Sequence, residues 1–123
     1  MNEILSQEKS IYLQIRDMIE NDILRDIILE EEKIPSTNEI ARLYSINPAT
    51  AAKGINILVE EGIVYKKRGI GMFVTEGAKE KIKERRKEEF FENFVTTLVR
   101  EAERLDISRK ELVDMISNCS EQG

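Results

Sequence analysis

Apolar residues recur at helical spacing near the start of the chain and then stop. A single stripe with intervals of three and four positions predicts a helix over 11–25, and its members are Ile11, Ile15, Met18, Ile19 and Ile23. The following segment, 26–35, breaks this pattern with a run of acidic residues and ends in Ile34-Pro35. Since a helix usually ends before the residue that precedes a proline, we expect a connection here.

Two capped helices are predicted after this connection. Ser36-Thr37-Asn38-Glu39 fits the S-x-x-E capping box, and the short helix that follows has an apolar face of Ile40, Ala41, Leu43 and Tyr44. Asn47-Pro48 combines a good N-cap with a residue suited to the first helical position. The third helix is expected to reach about Glu61, to stop at Gly62 and to bury Ala51, Ile55, Leu58 and Val59. This succession is the helix-turn-helix arrangement.

A hairpin is predicted directly after the third helix. Ile63-Val64-Tyr65 is typical of a short strand, Lys66 to Gly71 form a basic tip that contains glycine, and Met72 to Thr75 supply the second strand. A helix-turn-helix followed at once by a basic hairpin indicates a winged helix.

The last part of the chain has a different composition. Apolar residues at helical spacing predict one helix over about 78–105, which would span about 42 Å. Ser108-Arg109-Lys110-Glu111 is a second capping box, and the helix it starts has Leu112, Val113, Met115 and Ile116 on one side. The predicted fold is therefore mostly α with a small β-hairpin. It comprises a winged helix-turn-helix DNA-binding domain at 1–77 and a helical dimerisation segment of two helices at 78–123, which meet near Gly77.

The amino-acid composition limits the kinds of catalytic and metal-binding site that the chain can form. The chain has 123 residues, no histidine and one cysteine, Cys119, so an internal disulfide and any Ser–His or Cys–His nucleophile pair are excluded. A zinc site would need three or more carboxylates, which is unusual. We therefore expect neither an enzyme nor a metal site or cofactor. No signal peptide and no apolar run of about 20 residues are visible, which predicts a cytoplasmic protein without a membrane partner.

The net charge of −5 is unusual for a DNA-binding protein, so the distribution of charge matters more than the sum. Within 36–75 there are five basic and three acidic residues, whereas the acidic residues concentrate at 17–32. Positive charge is thus local, with Lys53 in the third helix and Lys66, Lys67 and Arg68 in the hairpin. Phosphate contacts require only such a local positive potential.

Taken together, these segments of the sequence resemble the GntR family of bacterial transcription regulators. The blocks that carry the resemblance occur in the family's order over about 11–75: Ile11-Tyr12-Leu13-Gln14-Ile15, Ile34-Pro35-Ser36-Thr37-Asn38-Glu39-Ile40-Ala41, Ile46-Asn47-Pro48-Ala49-Thr50, Glu61-Gly62-Ile63 and Arg68-Gly69-Ile70-Gly71-Met72-Phe73-Val74. The short C-terminal part and the Asn-Pro-x-Thr opening of the third helix resemble the YtrA-like subfamily. The resemblance implies a homodimer whose C-terminal helices form the interface, and repression as the usual mode of action.

Three departures from the family pattern stand out. Asn38 replaces a common DNA-contacting arginine, although an amide can still bind a phosphate or a base edge. Asp26 and Glu31 stand where the connection commonly has glycines, so a differently shaped connection is expected. Gly54-Ile55 replaces a frequent Ala-Tyr pair. A glycine inside a helix costs about 1 kcal/mol relative to alanine, which indicates either close packing or a loosened helix.

Three clusters are candidate DNA contacts. The third helix would present Asn47, Ala49, Thr50 and Lys53 to the major groove. The start of the second helix would offer Ser36, Thr37 and Asn38 to a phosphate. The hairpin tip would reach DNA with Lys66, Lys67, Arg68 and Gly69. The alternatives are that Asn47, Thr50 and Ser36 only cap helices, and that the basic tip only improves solubility.

The C-terminal segment supplies the candidate dimer interface. Its apolar residues are Phe90, Phe91, Phe94, Leu98, Ala102, Leu105, Leu112 and Ile116. The stripe is long for one small domain to cover, and clustered phenylalanines favour an interface. The alternative is packing on the protein's own winged helix. The basic run at 79–87 is either a second nucleic-acid patch or a solvated face with local ion pairs, for which the spacing allows Glu80–Lys83, Glu84–Lys87, Arg85–Glu88 and Arg85–Glu89.

The sequence thus predicts a homodimeric, sequence-specific regulator, a repressor by its resemblance, that binds double-stranded DNA at a palindromic operator. An effector cannot be named from the residues. The alternative is a winged-helix protein-interaction module that uses the acidic surface at 17–32 and does not bind DNA specifically.

Overall fold

The computed structural model describes Leu5 and residues 9–120. Its elements are α1 (Ile11–Leu24), α2 (Thr37–Tyr44), α3 (Pro48–Glu60), β1 (Val64–Lys67), β2 (Gly71–Val74), α4 (Ala78–Phe90), a π-helical segment (Phe91–Val95), α5 (Thr96–Arg104) and α6 (Arg109–Ser117). The chain divides into two compact units, Met1–Glu84 and Arg85–Gly123. The winged helix-turn-helix order is confirmed, and the domain boundary near Gly77 stays a prediction. No helix in the described part of the chain is long and apolar enough to cross a bilayer.

Local capping signals fix the starts of three helices as the sequence predicts. The Glu39 N–H donates to the Ser36 hydroxyl and the Ser36 N–H donates to the Glu39 carboxylate, each at 3.1 Å. The Ala49 N–H donates to Asn47 Oδ1 at 2.8 Å. Ser108 and Glu111 form the second reciprocal box at the start of α6. Each cap satisfies amides that the first helical turn leaves without a backbone partner.

The core of the first unit lies between α1, α2, α3 and the hairpin. Its fully buried apolar side chains include Ile15, Ile19, Ile23, Ile40, Ile55, Leu58, Val64, Val74 and Ile82. Two of the predicted core positions are wrong, because Leu43 is 64% exposed and Val59 is 37% exposed. Both lie at the margin of their helix's apolar stripe, where the spacing alone does not decide which side chain faces inward. Ile11, at the first position of α1, is also exposed.

Gly54 marks the closest approach of α3 to α1. A Cβ atom on Gly54 would lie 2.6 Å from the backbone oxygen of Tyr12 and 3.1 Å from the Cβ atom of Ile15. Since real Cβ atoms do not approach backbone oxygens so closely, the glycine is required by packing. Of the two sequence interpretations, close packing is confirmed.

The hairpin strands differ from their predicted bounds. β1 and β2 are antiparallel, with Val64 opposite Val74 and Lys67 opposite Gly71. Lys66 and Lys67 therefore belong to strand β1, and the turn is reduced to residues 68–70. The prediction that the whole stretch from Lys66 to Gly71 forms the tip is wrong, because backbone pairing extends the strands further than the apolar residues do.

A third extended segment pairs with β2 on its other side. The Glu31 N–H donates to the Val74 oxygen at 2.7 Å, and the Ile34 N–H donates to the Met72 oxygen at 2.9 Å. Lys33 forms a bridge with Phe73. Pairing across about forty residues of sequence makes the segment before α2 part of the wing, which the sequence pattern does not indicate.

The connection between α1 and this segment contains two residues with a left-handed backbone conformation. Asp26 has φ 60° and Glu31 has φ 70°, in a region that usually favours glycine. Lys79 forms an ion pair with Asp26 at 2.9 Å, and the Tyr65 hydroxyl donates to Glu31 at 2.6 Å. Thus both residues adopt glycine-like backbone conformations, and their side chains tie the connection to α4 and β1.

The second unit contains the end of α4, the π-helical segment, α5 and α6. The predicted uninterrupted helix over 78–105 is wrong in one respect, because Phe91–Val95 forms a π turn between α4 and α5. The Thr96 hydroxyl donates to the Phe91 oxygen at 3.2 Å. Arg85 pairs with Glu89 at 3.2 Å, as the spacing allows. Within the first unit, Lys83 lies 3.6 Å from Glu80.

Candidate nucleic-acid interface

The N-terminal half of α3 presents a small, exposed face. Asn47, Ala49 and Lys53 are exposed and Thr50 is partly exposed. The Asn47 side chain caps α3 through the Ala49 amide, so its capping role is observed. The ammonium of Lys53 lies 4.1 Å from the centre of the Tyr12 ring. Asn47, Ala49 and Thr50 therefore lie together at the start of α3, and the positive charge of Lys53 lies one turn further on.

The start of α2 combines an anion-binding geometry with a carboxylate. Asn38 and Ser36 are exposed and Thr37 is partly exposed. The hydrogen bond from the Ser36 backbone amide is the largest of the effects that lower the pKa of Glu39, followed by the Ser36 side chain. The capping box thus uses the amides of residues 36 and 39, and the first-turn amides of Thr37 and Asn38 remain outside it.

The hairpin displays its charges beside an aromatic surface. Lys66, Lys67, Arg68 and Gly69 are all exposed, and Gly69 has φ 78° in the turn. The Lys67 ammonium lies 4.3 Å from the centre of the Phe73 ring. A lysine over a ring keeps its full charge, since the ring carries a quadrupole and no net charge.

Lys33 is a basic residue of this surface that the sequence analysis misses. Its Cε atom lies 2.6 Å from where a Cβ atom on Gly71 would stand, so its stem runs along β2 to the end of the strand that meets the turn. Its charge also contributes to lowering the pKa of Glu39 in α2. Lys33 therefore lies between the wing and the start of α2. The only sequence signal is a lysine that ends an acidic run, which does not reveal its pairing with β2.

Several of the acidic residues at 17–32 form ion pairs or hydrogen bonds within the protein. Asp17 contacts Lys9 and Arg16. Burial raises the pKa of Asp17, but the hydrogen bonds from Lys9 and Arg16 outweigh it, so the net pKa is lowered. The Gly77 N–H donates to Glu30 at 2.9 Å. No group of three or more acidic, cysteine or histidine side chains in the described part of the chain is arranged to hold a metal ion.

The second unit exposes most of the predicted interface residues. Relative exposure ranges from 43% to 64% for Phe90, Phe91, Phe94, Leu98, Leu105 and Ile116. The Phe90 and Phe94 ring centres are 5.5 Å apart. Leu112 is half-buried, and Ala102 is already buried at 6% exposure in the single chain. Ala102 is therefore covered by its own chain, and its backbone oxygen accepts the Ile107 N–H from the connection between α5 and α6 at 2.9 Å.

A capped helix-turn-helix with a basic wing defines a winged-helix protein of the kind that regulates transcription. Residues 11–74 match the family of bacterial regulatory proteins called gntR. The chain belongs to this family. It is similar over its whole length, at 30% identity, to the uncharacterized HTH-type transcriptional regulator YhcF of Bacillus subtilis, which it also covers completely.

Other relatives match different shares of the chain. The HTH-type transcriptional repressor YtrA of Bacillus subtilis is 36% identical over 56% of the chain and 53% of its own length. A GntR-family structure from Bacteroides thetaiotaomicron, described as a putative transcriptional regulator, has a TM-score of 0.74 at 41% identity and covers 87% of this chain and 93% of its own. AraR(DBD) in complex with operator ORX1 has a TM-score of 0.52 at 32% identity, over 61% and 92% of the two chains. The family and these relatives are regulators and not enzymes.

Proposed function

We propose that this protein is a sequence-specific DNA-binding repressor that acts as a homodimer on a palindromic operator. The observation that carries the proposal is the exposed face at the start of α3, which is flanked by a basic wing in a GntR-family fold. The similarity to AraR(DBD), whose solved structure contains an operator, supports the assignment of DNA as the partner.

The α3 face supplies the contacts to bases. The start of a recognition helix meets base edges in the major groove. Thr50 can donate to a base or touch a thymine methyl group, Ala49 permits close approach, and Lys53 can reach a guanine or a phosphate. Asn47 keeps its cap while its exposed position at the helix start faces the same groove.

The start of α2 and the wing supply contacts to the backbone. The amides of Thr37 and Asn38 are suited to a phosphate at a helix N-terminus, beside the Ser36 cap. The wing contributes Lys66, Lys67 and Arg68 around Gly69. We add Lys33, because its position between the wing and α2 extends the positive surface from one to the other.

A second copy of the chain covers the apolar face of the second unit. The exposed phenylalanines and leucines would otherwise remain in water, and large exposed apolar patches mark interaction sites. Phe90, Phe91, Phe94, Leu98, Leu105 and Ile116 form this interface, with Leu112 at its margin. Ala102 supports it from within the protomer and does not contact the partner.

Selection from a random duplex library tests the proposal. The wild-type protein is expected to enrich a palindromic sequence, and Thr50→Ala is expected to weaken its binding. Lys53→Gln should also reduce the slope of log affinity against log salt by about 0.9, the value for one phosphate contact. Lys110→Gln, an exposed lysine of α6, is the matched control and should leave the slope unchanged. Enrichment of no sequence contradicts the proposal.

Sedimentation equilibrium tests the dimer. Phe94→Asp is expected to shift the protein towards the monomer, because a carboxylate in an apolar interface is costly to bury. Leu43→Asp changes an equally exposed apolar residue of the first unit and should leave the dimer intact. A monomeric wild-type protein at micromolar concentration would contradict the assembly.

The alternative of a protein-interaction module has less support. It depends on the acidic surface at 17–32, yet Asp26, Glu30 and Glu31 are bound to Lys79, Gly77 and Tyr65 of the same chain. Retention on heparin that weakens with salt favours DNA binding over this alternative.

A further inference from the structure

The contact between Lys53 and Tyr12 links the recognition helix to α1. Lys53 is an exposed residue of α3, and Tyr12 is the partly buried second residue of α1. The lysine ammonium lies 4.1 Å from the ring centre. This is well within the separation of about 6 Å at which a cation and an aromatic face attract each other.

Close backbone packing of α3 against α1 also fixes the position of this pair. Gly54 follows Lys53 directly, and the Tyr12 oxygen lies 2.6 Å from where a Cβ atom on Gly54 would stand. The absence of a side chain at 54 lets α3 approach the first turn of α1. The ring is thereby held beneath the neighbouring lysine.

An aromatic partner has a particular advantage for a lysine that binds DNA. A carboxylate would hold the ammonium equally well but would cancel its charge, whereas a ring leaves the charge intact. Ordering a free lysine on a phosphate also costs side-chain entropy, and prior positioning reduces that cost. In a chain with a net charge of −5, keeping each local positive charge effective matters.

We propose that Tyr12 is a positioning residue for DNA binding: its ring holds the Lys53 ammonium over the start of the recognition face without neutralising it. This role rests on the proposed DNA-binding function. It makes the face of the ring essential and the tyrosine hydroxyl dispensable. It also requires that Tyr12 acts on DNA affinity through Lys53 and through no other residue.

Nuclear magnetic resonance of the DNA-free protein tests the geometry. The Hε protons of Lys53 are expected upfield of those of the other lysines, because they lie over a ring. Tyr12→Phe should keep this shift, and Tyr12→Leu should abolish it. An unshifted Lys53 resonance in the wild-type protein overturns the proposal.

A double-mutant cycle tests the role, with the duplex that the wild-type protein enriches from a random library as the probe. Tyr12→Leu is expected to weaken binding about two- to five-fold, the range for an exposed cation–ring pair, and Tyr12→Phe to leave it unchanged. In a Lys53→Met background, Tyr12→Leu should have no further effect. Thermal unfolding of each variant confirms that it is folded.

Three results of the cycle overturn the positioning role. Equal loss in Tyr12→Phe would assign the effect to the hydroxyl. An undiminished effect in the Lys53→Met background would assign it to the packing of α1. Unchanged or tighter binding by Tyr12→Leu would mean that the ring does not aid binding. If the wild-type protein enriches no duplex, the proposed function fails and the role in DNA binding fails with it, whatever the resonance of Lys53 shows.

Discussion

Replacing Gly54 with alanine sets helix propensity against packing, and the two predict opposite signs. Alanine is favoured over glycine in a helix interior by about 1 kcal/mol. By that measure alone the variant would be more stable. In the structure, however, the new methyl group would lie 2.6 Å from the Tyr12 backbone oxygen and 3.1 to 3.2 Å from the Ile15 side chain.

Packing decides the sign because the obstructing atom belongs to the backbone. A flexible side chain could move aside, but the Tyr12 carbonyl is part of the first turn of α1. Forcing extra volume into a packed interior costs about 1 to 3 kcal/mol. Subtracting the gain in propensity leaves a net loss of up to about 2 kcal/mol. In a unit of this size, each 1 kcal/mol lowers Tm by about 4 to 8 °C.

Thermal and urea unfolding at one fixed protein concentration measure this difference, since association makes Tm depend on concentration. Asn56→Ala is the control, because Asn56 is an exposed residue of the same helix and its substitution should be neutral or slightly stabilising. A Gly54→Ala variant that is more stable than the wild-type protein, as helix propensity alone predicts, would refute the argument that Gly54 is required by close packing.

Three further predictions concern caps and titrating groups. Ser36→Ala should lower stability by about 0.5 to 2 kcal/mol through loss of the N-cap, as measured by urea unfolding. The folded-state pKa of Glu39 is lowered from 4.5. Its contribution to the stability of the fold should therefore be present above about pH 4.5 and disappear as the pH falls through the folded-state pKa. The difference in Tm between the wild-type protein and Glu39→Gln should accordingly shrink in acid. The hydrogen bond to Glu31 raises the pKa of Tyr65 above 10.0, so its contribution should be present below about pH 10 and be lost as the pH rises further. In an ultraviolet titration, Glu31→Gln should return Tyr65 towards the ordinary value, and an unchanged titration curve would contradict this.

The sequence predicts the helices and their starts well because those signals are local. The capping boxes of α2 and α6 and the Asn47-Pro48 start of α3 depend on residues within one turn of each other. The apolar stripes also identify most of the core. Their margins are less certain, since Leu43 and Val59 satisfy the spacing and nevertheless face solvent.

What the sequence does not predict depends on distant pairing. The segment that contains Lys33 pairs with β2, although the whole helix-turn-helix lies between them in the sequence. Lys33 consequently escapes any search for basic clusters along the chain. The contact of Lys53 with Tyr12 is equally hidden, because it joins α3 to the start of α1. The residues of the predicted α3 face, in contrast, are neighbours in sequence and remain neighbours in the fold.

The pairing of β2 on both sides leaves β1 as the outer strand of the wing. An outer strand presents unpaired backbone groups on which a strand from another molecule can add, and lysines on such a strand oppose aggregation by repulsion. Lys66 and Lys67 occupy this strand and are exposed. The same two charges can therefore oppose aggregation in addition to making the DNA contacts proposed for them. Removing both would be expected to promote self-association as well as weaker binding, so a loss of affinity in such a variant should be interpreted only together with its solubility.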